Sequence, residues 1–281
     1  MDGAGRIRVW EMVAESYRFV LSHPRDLVRV GWLPLIALFA LNLHFDGIDP
    51  AALGPALGEA AINLLILSLI AAIILVAWHR VVLLDEGGRR HVAVNLGPRE
   101  LRYLLSWLGL SVAFLVLFMI AWALVIAAGF ALLVVLKLVL LLAGAGSSLA
   151  LGNTDQFFAL SYMAVLPAFL PASYFATRLS LVLPAMATDR RRSLGRAWSL
   201  SAGNGWRLVL AALLVMLPVE LVSFAIGIAT RAVLGTALYY PLALAASCGV
   251  LLLIIATGTV LSLFSVELDQ PGRPATPLPA Q

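Results

Sequence analysis

The chain has 281 residues, of which 62% are hydrophobic and 12% charged, and its formal net charge is +4. Soluble domains carry about 25% charged residues, so half the usual charge is missing and a soluble globular core is excluded. The composition fits an all-α polytopic membrane bundle built from helical spans of about 20 residues each.

Residues 1–29 open the chain as an expected cytoplasmic amphipathic helix. Ile7, Trp10, Ala14, Tyr17 and Leu21 recur at three- and four-residue steps, with Arg8, Glu11, Glu15 and Arg18 turned away. The first 26 residues hold four arginines and no apolar run of signal-peptide length, so no cleavable signal is expected. The segment "SHPRD" breaks this helix, and Arg25 and Arg29 precede the first span.

A transmembrane domain over 30–266 follows, with spans near 30–45, 60–84, 103–128, 157–187, 207–230 and 237–266. The connectors between them alternate in charge. Residues 1–29, 79–102 and 178–207 hold five, five and six arginines. Residues 46–59 and 144–156 hold none, and 231–240 holds only Arg231. Lys and Arg are retained on the cytoplasmic side of short loops, so both termini are expected inside. The run 101–145 is too long for one span. It is read as a span ending near Gly129 followed by an apolar outer-side segment over 130–143, because two spans here would leave Arg190–Arg192 outside. Pro167, Pro171 and Pro184 should bend the fourth span. Residues 267–281 form a proline-rich tail expected to be disordered.

The connector 189–208, "DRRRSLGRAWSLSAGNGWRL", predicts a short interfacial helix over 193–202. Leu194, Ala197, Trp198 and Ser201 share one face, Arg192 and Arg196 the other, and Gly203 and Gly205 supply the stop. A shorter version is expected at 98–103, "PRELRY". The unit of a surface helix plus two spans occurs at 6–84 and again at 190–266, a candidate internal repeat.

No catalytic constellation emerges. His23, His44, His79 and His91 form no metal-binding spacing and read as interfacial polar residues, and the single Cys248 makes neither a disulfide nor a cluster. No G-x-S-x-G elbow or phosphate-cradling loop is present. No metal, cofactor or nucleic-acid partner is expected.

Two sets of residues stand out. Arg178, Arg190, Arg191, Arg192, Arg196, Trp198, Trp206 and Arg207 are candidate contacts for anionic lipid headgroups. Lys137 and Glu220 lie inside apolar runs, where each charge costs about 2.5–3.5 kcal/mol unless compensated, and are a candidate intramembrane pair. Asn42 and Asn63, at the outer ends of the first two spans, could share a hydrogen bond, and Ala245 and Gly249 make a small-residue step for helix contact.

The stretch 178–208, with Arg178, Pro184, Ala185, Ala197, Trp198, Gly203, Asn204 and Trp206, resembles bacterial multi-span proteins related to the glycerophosphoryl diester phosphodiesterase membrane domain. "WHRVVLLDE" (78–86) is similar to a stretch of the same proteins. The resemblance implies a six-span bacterial inner-membrane protein. It does not carry phosphodiesterase activity, because no soluble segment is long enough for that domain. An arginine-to-lysine ratio of 18 to one also fits a GC-rich bacterial genome. The expected role is a non-enzymatic membrane module that binds anionic phospholipid or a membrane-protein partner at its cytoplasmic face. The alternative is a small transporter or permease component using Lys137 and Glu220.

Overall fold

The computed structural model describes residues 8–45, 53–84, 97–142, 154–190 and 192–269. Among these residues the regular elements are all α-helices: α1 (Val9–Ser22), α2 (Pro24–Phe45), α3 (Leu53–Leu84), α4 (Pro98–Leu142), α5 (Thr154–Ser180), α6 (Val182–Ala187), α7 (Leu194–Leu200), α8 (Gly205–Ala232) and α9 (Tyr239–Asp269). Six stretches are long and apolar enough to cross a membrane: Pro24–His44, Leu65–Leu84, Pro98–Leu142, Leu160–Ala187, Gly205–Thr230 and Tyr239–Asp269. The all-α, multi-pass expectation holds.

The chain forms two compact units, one from Met1–Leu108 with Arg178–Gln281 and one from Gly109–Thr177. In the first, α9 packs against α8, α3, α2 and α1. Its core joins Met12, Val13, Leu208, Val215, Val260 and Phe264 on one side. A second cluster joins Phe19, Val30, Ile74, Trp78, Leu251 and Ile255. Gly258 lets α3 come close, since a Cβ there would meet Leu75 Cδ2 at 2.7 Å. Gly249 does the same for Ser223 of α8, at 2.5 Å from its Oγ, as the small-residue step from Ala245 implies. The order of a short helix and two long ones occurs twice in this unit, as α1–α2–α3 and as α7–α8–α9.

Local chemistry explains most helix ends. Pro24 lacks a backbone N–H, which is no loss in the first turn of α2. His23 closes α1 with its backbone N–H on the Val20 carbonyl, 3.4 Å away. Pro184 has no proton for the Ser180 carbonyl four residues back, and its ring crowds that turn. The helix therefore stops at Ser180 and restarts at Val182, so the expected bend in the fourth span is a break. Gly203 takes φ +79°, a left-handed conformation glycine adopts without penalty, and α8 begins two residues later.

The second unit holds the rest of α4 and α5. Phe114 meets Phe169 edge to face with centroids 5.8 Å apart, and the indole N–H of Trp122 donates to the Ser161 carbonyl at 3.1 Å. These pairings run the two helices antiparallel.

Several expectations are corrected. No break occurs near Gly129: α4 is a single 45-residue helix through 130–142, roughly 67 Å long. Leu160 of α5 packs over that glycine, its Cδ2 3.0 Å from an ideal Cβ. The segment 98–103 is the start of α4 rather than a separate surface helix. On α1 the buried face is Met12, Val13, Ser16, Phe19 and Val20, about half a turn from the face expected to be apolar. Trp10 and Leu21 are exposed. The helix has two apolar faces, one against protein and one outward, and the face with Trp10 and Leu21 is the outward one. Ile7 and residues 270–281 of the tail lie outside the described residues, and 267–269 end α9. Asn42 does not turn to Asn63: it donates to the Ala243 carbonyl at 3.1 Å, while Asn63 is buried with its amide nitrogen lacking a partner among the described residues.

Candidate functional site

Two of the arginine-rich connectors, 79–102 and 178–207, contribute side chains to one cluster in the first unit. The C-terminal part of α3 brings Arg80, the first turns of α4 bring Arg99 and Arg102, and the turn after α6 brings Asp189. Arg99 grips the carboxylate with both arms of its fork, Nε at 3.0 Å from Oδ1 and Nη2 on Oδ2. Arg102 and Arg80 stand further off, at 3.6 and 3.8 Å. Asp189 takes φ +58°, and the turn is closed by Arg190 N–H on the Ala185 carbonyl at 2.8 Å. The Asp189 carboxyl is held below the usual carboxylate range, first by the hydrogen bond from Arg99 and then, against some desolvation, by the charges of Arg99, Arg80 and Arg102.

The connector helix α7 is built from Ser193, whose hydroxyl caps it by accepting from the Arg196 N–H at 3.2 Å. It buries Ala197 and Ser201 against the first unit. Arg178 holds it there. Its guanidinium lies 3.5 Å from the Trp198 ring centroid, its Nε donates to Ser201 Oγ at 2.8 Å, and its Nη2 donates to the Trp198 carbonyl. Arg178 is only 5% exposed, so it is removed from the headgroup-contact set: its donors point into protein. Arg192 is removed for the same reason. Its guanidinium donates to the Leu181 carbonyl at 3.2 Å and Ser265 Oγ at 3.3 Å and pairs with Asp269 at the end of α9.

Of the remaining candidates, Arg190 and Arg196 are exposed, as is Trp206, while Trp198 and Arg207 are half-buried. Arg191 lies outside the described residues. Lys137 is on α4 in the second unit and Glu220 on α8 in the first, and neither has an ion-pair partner among the described residues of its own unit.

His79 is a second correction of type. It is fully buried rather than interfacial. Its Nδ1 lies 2.6 Å from Ser262 Oγ and its Nε2 3.0 Å from the Tyr103 hydroxyl. One turn below Ser262 on α9, the Thr259 hydroxyl accepts from the neighbouring Trp78 indole at 2.8 Å. These bonds tie α3 to α4 and α9. The sequence offered only a weak pointer, the adjacent Trp78 and His79 near the end of an otherwise apolar helix.

Two crevices are open. One of about 390 Å³ lies in the first unit beside Leu43, Thr236, Tyr239 and Tyr240. The other, of about 320 Å³, lies in the second unit beside Phe118, Trp122 and Tyr162. Neither is lined by ionisable acids or bases that could serve chemistry at neutral pH. No group of three or more metal-ligating side chains occurs among the described residues. No family model, curated protein or solved structure matches the chain.

Proposed function

We propose that the chain is a multi-pass protein of a bacterial inner membrane. In this reading it is a non-enzymatic module that binds anionic phospholipid through its arginine-rich end, which faces the cytoplasm with both termini. One observation carries the reading. α7 is locked to the bundle from within by Arg178, and that leaves Arg190 and Arg196 outward, with the exposed Trp206 in the first turn of the next helix. Basic side chains and a tryptophan at one level are what a headgroup layer attracts. The likeness of 178–208 to the glycerophosphoryl diester phosphodiesterase membrane domain supports the bacterial membrane setting and adds no chemistry.

Each arginine near an anionic surface contributes about 1 kcal/mol. The double substitution Arg190→Ala with Arg196→Ala should therefore weaken binding of phosphatidylglycerol roughly 30-fold. Native mass spectrometry of the protein in a neutral detergent, titrated with phosphatidylglycerol and with phosphatidylethanolamine, measures this. Equal binding of the two lipids by the unaltered protein would overturn the reading. Arg192 is left intact, because its loss would strand Asp269 and test folding instead.

A further inference from the structure

We propose that Arg99 and Arg102 form a phosphate-binding site in which the Asp189 carboxylate is a displaceable internal stand-in for the ligand. The ligand class is a phosphate mono- or diester anion. This inference rests on the lipid-binding reading above and names the place where the headgroup sits.

Among the described residues, three guanidiniums share the Asp189 carboxylate, and Arg99 is the one that holds both of its oxygens. Arg102 keeps Nη2 at 3.6 Å, beyond hydrogen-bond range, and spends its Nε on the Pro98 carbonyl at 3.3 Å. A carboxylate presents its two oxygens in one plane, whereas the oxygens of a phosphate are set tetrahedrally, so one phosphate can accept from two guanidiniums approaching from different sides.

The site is also accessible. Exposure rises from 16% at Arg80 through 33% at Arg99 to 68% at Arg102, and Asp189 is 45% exposed. An anion arriving from outside thus meets Arg102 first and Arg99 next. Arg80, which also donates to the Ala187 carbonyl at 3.4 Å, forms the floor. The Glu100 carboxylate turns back to the start of α4, where it accepts from the Gly97 N–H at 3.0 Å. The backbone at Asp189 is pinned by its own N–H on the Met186 carbonyl at 3.2 Å and by the Arg190 bond to Ala185. Release of the carboxylate therefore needs only side-chain rotation. The depth suits a headgroup: the turn follows directly on Ala187, where one apolar stretch ends, and Pro98 begins another.

Asparagine is among the few residues that accept a left-handed backbone, so Asp189→Asn removes the charge and keeps the turn. If the carboxylate stands in for a ligand, removing it strengthens binding. The test uses full-length protein in neutral detergent and native mass spectrometry with phosphatidylglycerol, with inorganic phosphate as competitor. Asp189→Asn should bind phosphatidylglycerol several-fold more tightly than the unaltered protein, and Arg102→Gln several-fold more weakly. Displacement by millimolar inorganic phosphate would identify the phosphate group itself as what is recognised. Resistance to it, with the lipid still sensitive to both substitutions, would identify the intact lipid headgroup. If the unaltered protein binds phosphatidylglycerol and both variants bind it equally well, the site is overturned while the lipid-binding reading stands. If the unaltered protein shows no preference for anionic lipid, both fall. Should Asp189→Asn fail to fold, Arg102→Gln decides alone, because its exposed side chain is not needed for the core.

Discussion

The Arg178 guanidinium lies over the Trp198 indole, its Cζ 3.5 Å from the ring centroid, and donates to Ser201 Oγ at 2.8 Å. One side chain at the end of α5 thus carries the attachment of α7. A buried hydrogen bond from a charged donor contributes about 1.5–3 kcal/mol, and a desolvated cation–π contact about 2. These terms overlap, so Arg178→Ala should destabilise the protein by about 3 kcal/mol. Arg178→Lys should recover less than half, because an ammonium cannot both stack and fork. Trypsin cleavage at Arg190 and Arg196 should quicken in both variants before global unfolding does. Unchanged cleavage would show that α7 is held by other contacts.

The imidazole of His79 links Ser262 and Tyr103 inside the first unit. His79→Phe keeps a planar ring, somewhat larger than imidazole, and strands two hydroxyl groups, at about 1–3 kcal/mol for each buried group left unpaired. Tyr103→Phe alone should cost about 1 kcal/mol, near the upper range of polar pairs between membrane helices. The double variant should be no worse than His79→Phe alone, since the second change removes a group already stranded. Thermal unfolding midpoints in detergent read all three. Fully additive losses would mean the two side chains do not share a bond.

Acid should loosen the turn at Asp189 by neutralising the carboxylate that Arg99 holds, at a lower pH than an ordinary carboxyl would need. A carboxyl whose folded-state pKa is depressed stabilises the fold above its unfolded-state value, near 3.9, and that contribution disappears as pH falls through the folded-state value. The unaltered protein should therefore be more stable than Asp189→Asn at pH 7, and the two should converge as pH falls through the lowered folded-state value of Asp189. Midpoints measured from pH 7 downward check this. A constant gap across the range would place the effect of the substitution elsewhere.

Two glycines on α9 should respond differently to a methyl group. Gly258→Ala pushes on Leu75, which is 7% exposed and has little room to move, so overpacking of about 1–3 kcal/mol is expected. Gly249→Ala pushes on the Ser223 hydroxyl, which is half-buried and can rotate away, so it should cost less than about 1 kcal/mol. Equal losses would show that the backbones, not the side chains, set the spacing.

The orientation has its own test. In a variant lacking Cys248, a thiol placed at Asp155 should react with an impermeant reagent added from the side opposite the arginine-rich connectors. Reaction only after lysis would place 144–156 in the cytoplasm and reverse the assignment of the spans on either side.

The helices were legible because long apolar runs and arginine clusters are local signals. Six spans, the break at His23–Pro24 and the stop at Gly203 follow from residues within a turn or two of the event. The bonds that organise the candidate site were not legible. Arg178 reaches Ser201 across 23 residues and His79 reaches Ser262 across 183, and no short-range pattern encodes such pairs. Arg178 and Arg192 thus resembled the exposed Arg190 and Arg196, because the positive-inside pattern counts charges without regard to where they point. Gly129 misled because a glycine does not by itself end a helix: Gly109 and Gly227 also sit inside α4 and α8, with no atom within 4 Å of an added Cβ.

The central place of α9 bears on the order of assembly. The helix that α1, α2, α3 and α8 all lean on is also the last of these to leave the ribosome. Until it arrives, Trp78 and Phe19 lack their cover from Leu251 and Ile255, and His79 lacks Ser262. The earlier helices of this unit must then wait in the bilayer as loosely associated intermediates. Translation arrested after α8 would leave a nascent chain with unsatisfied polar groups in lipid, a natural target for membrane quality-control proteolysis.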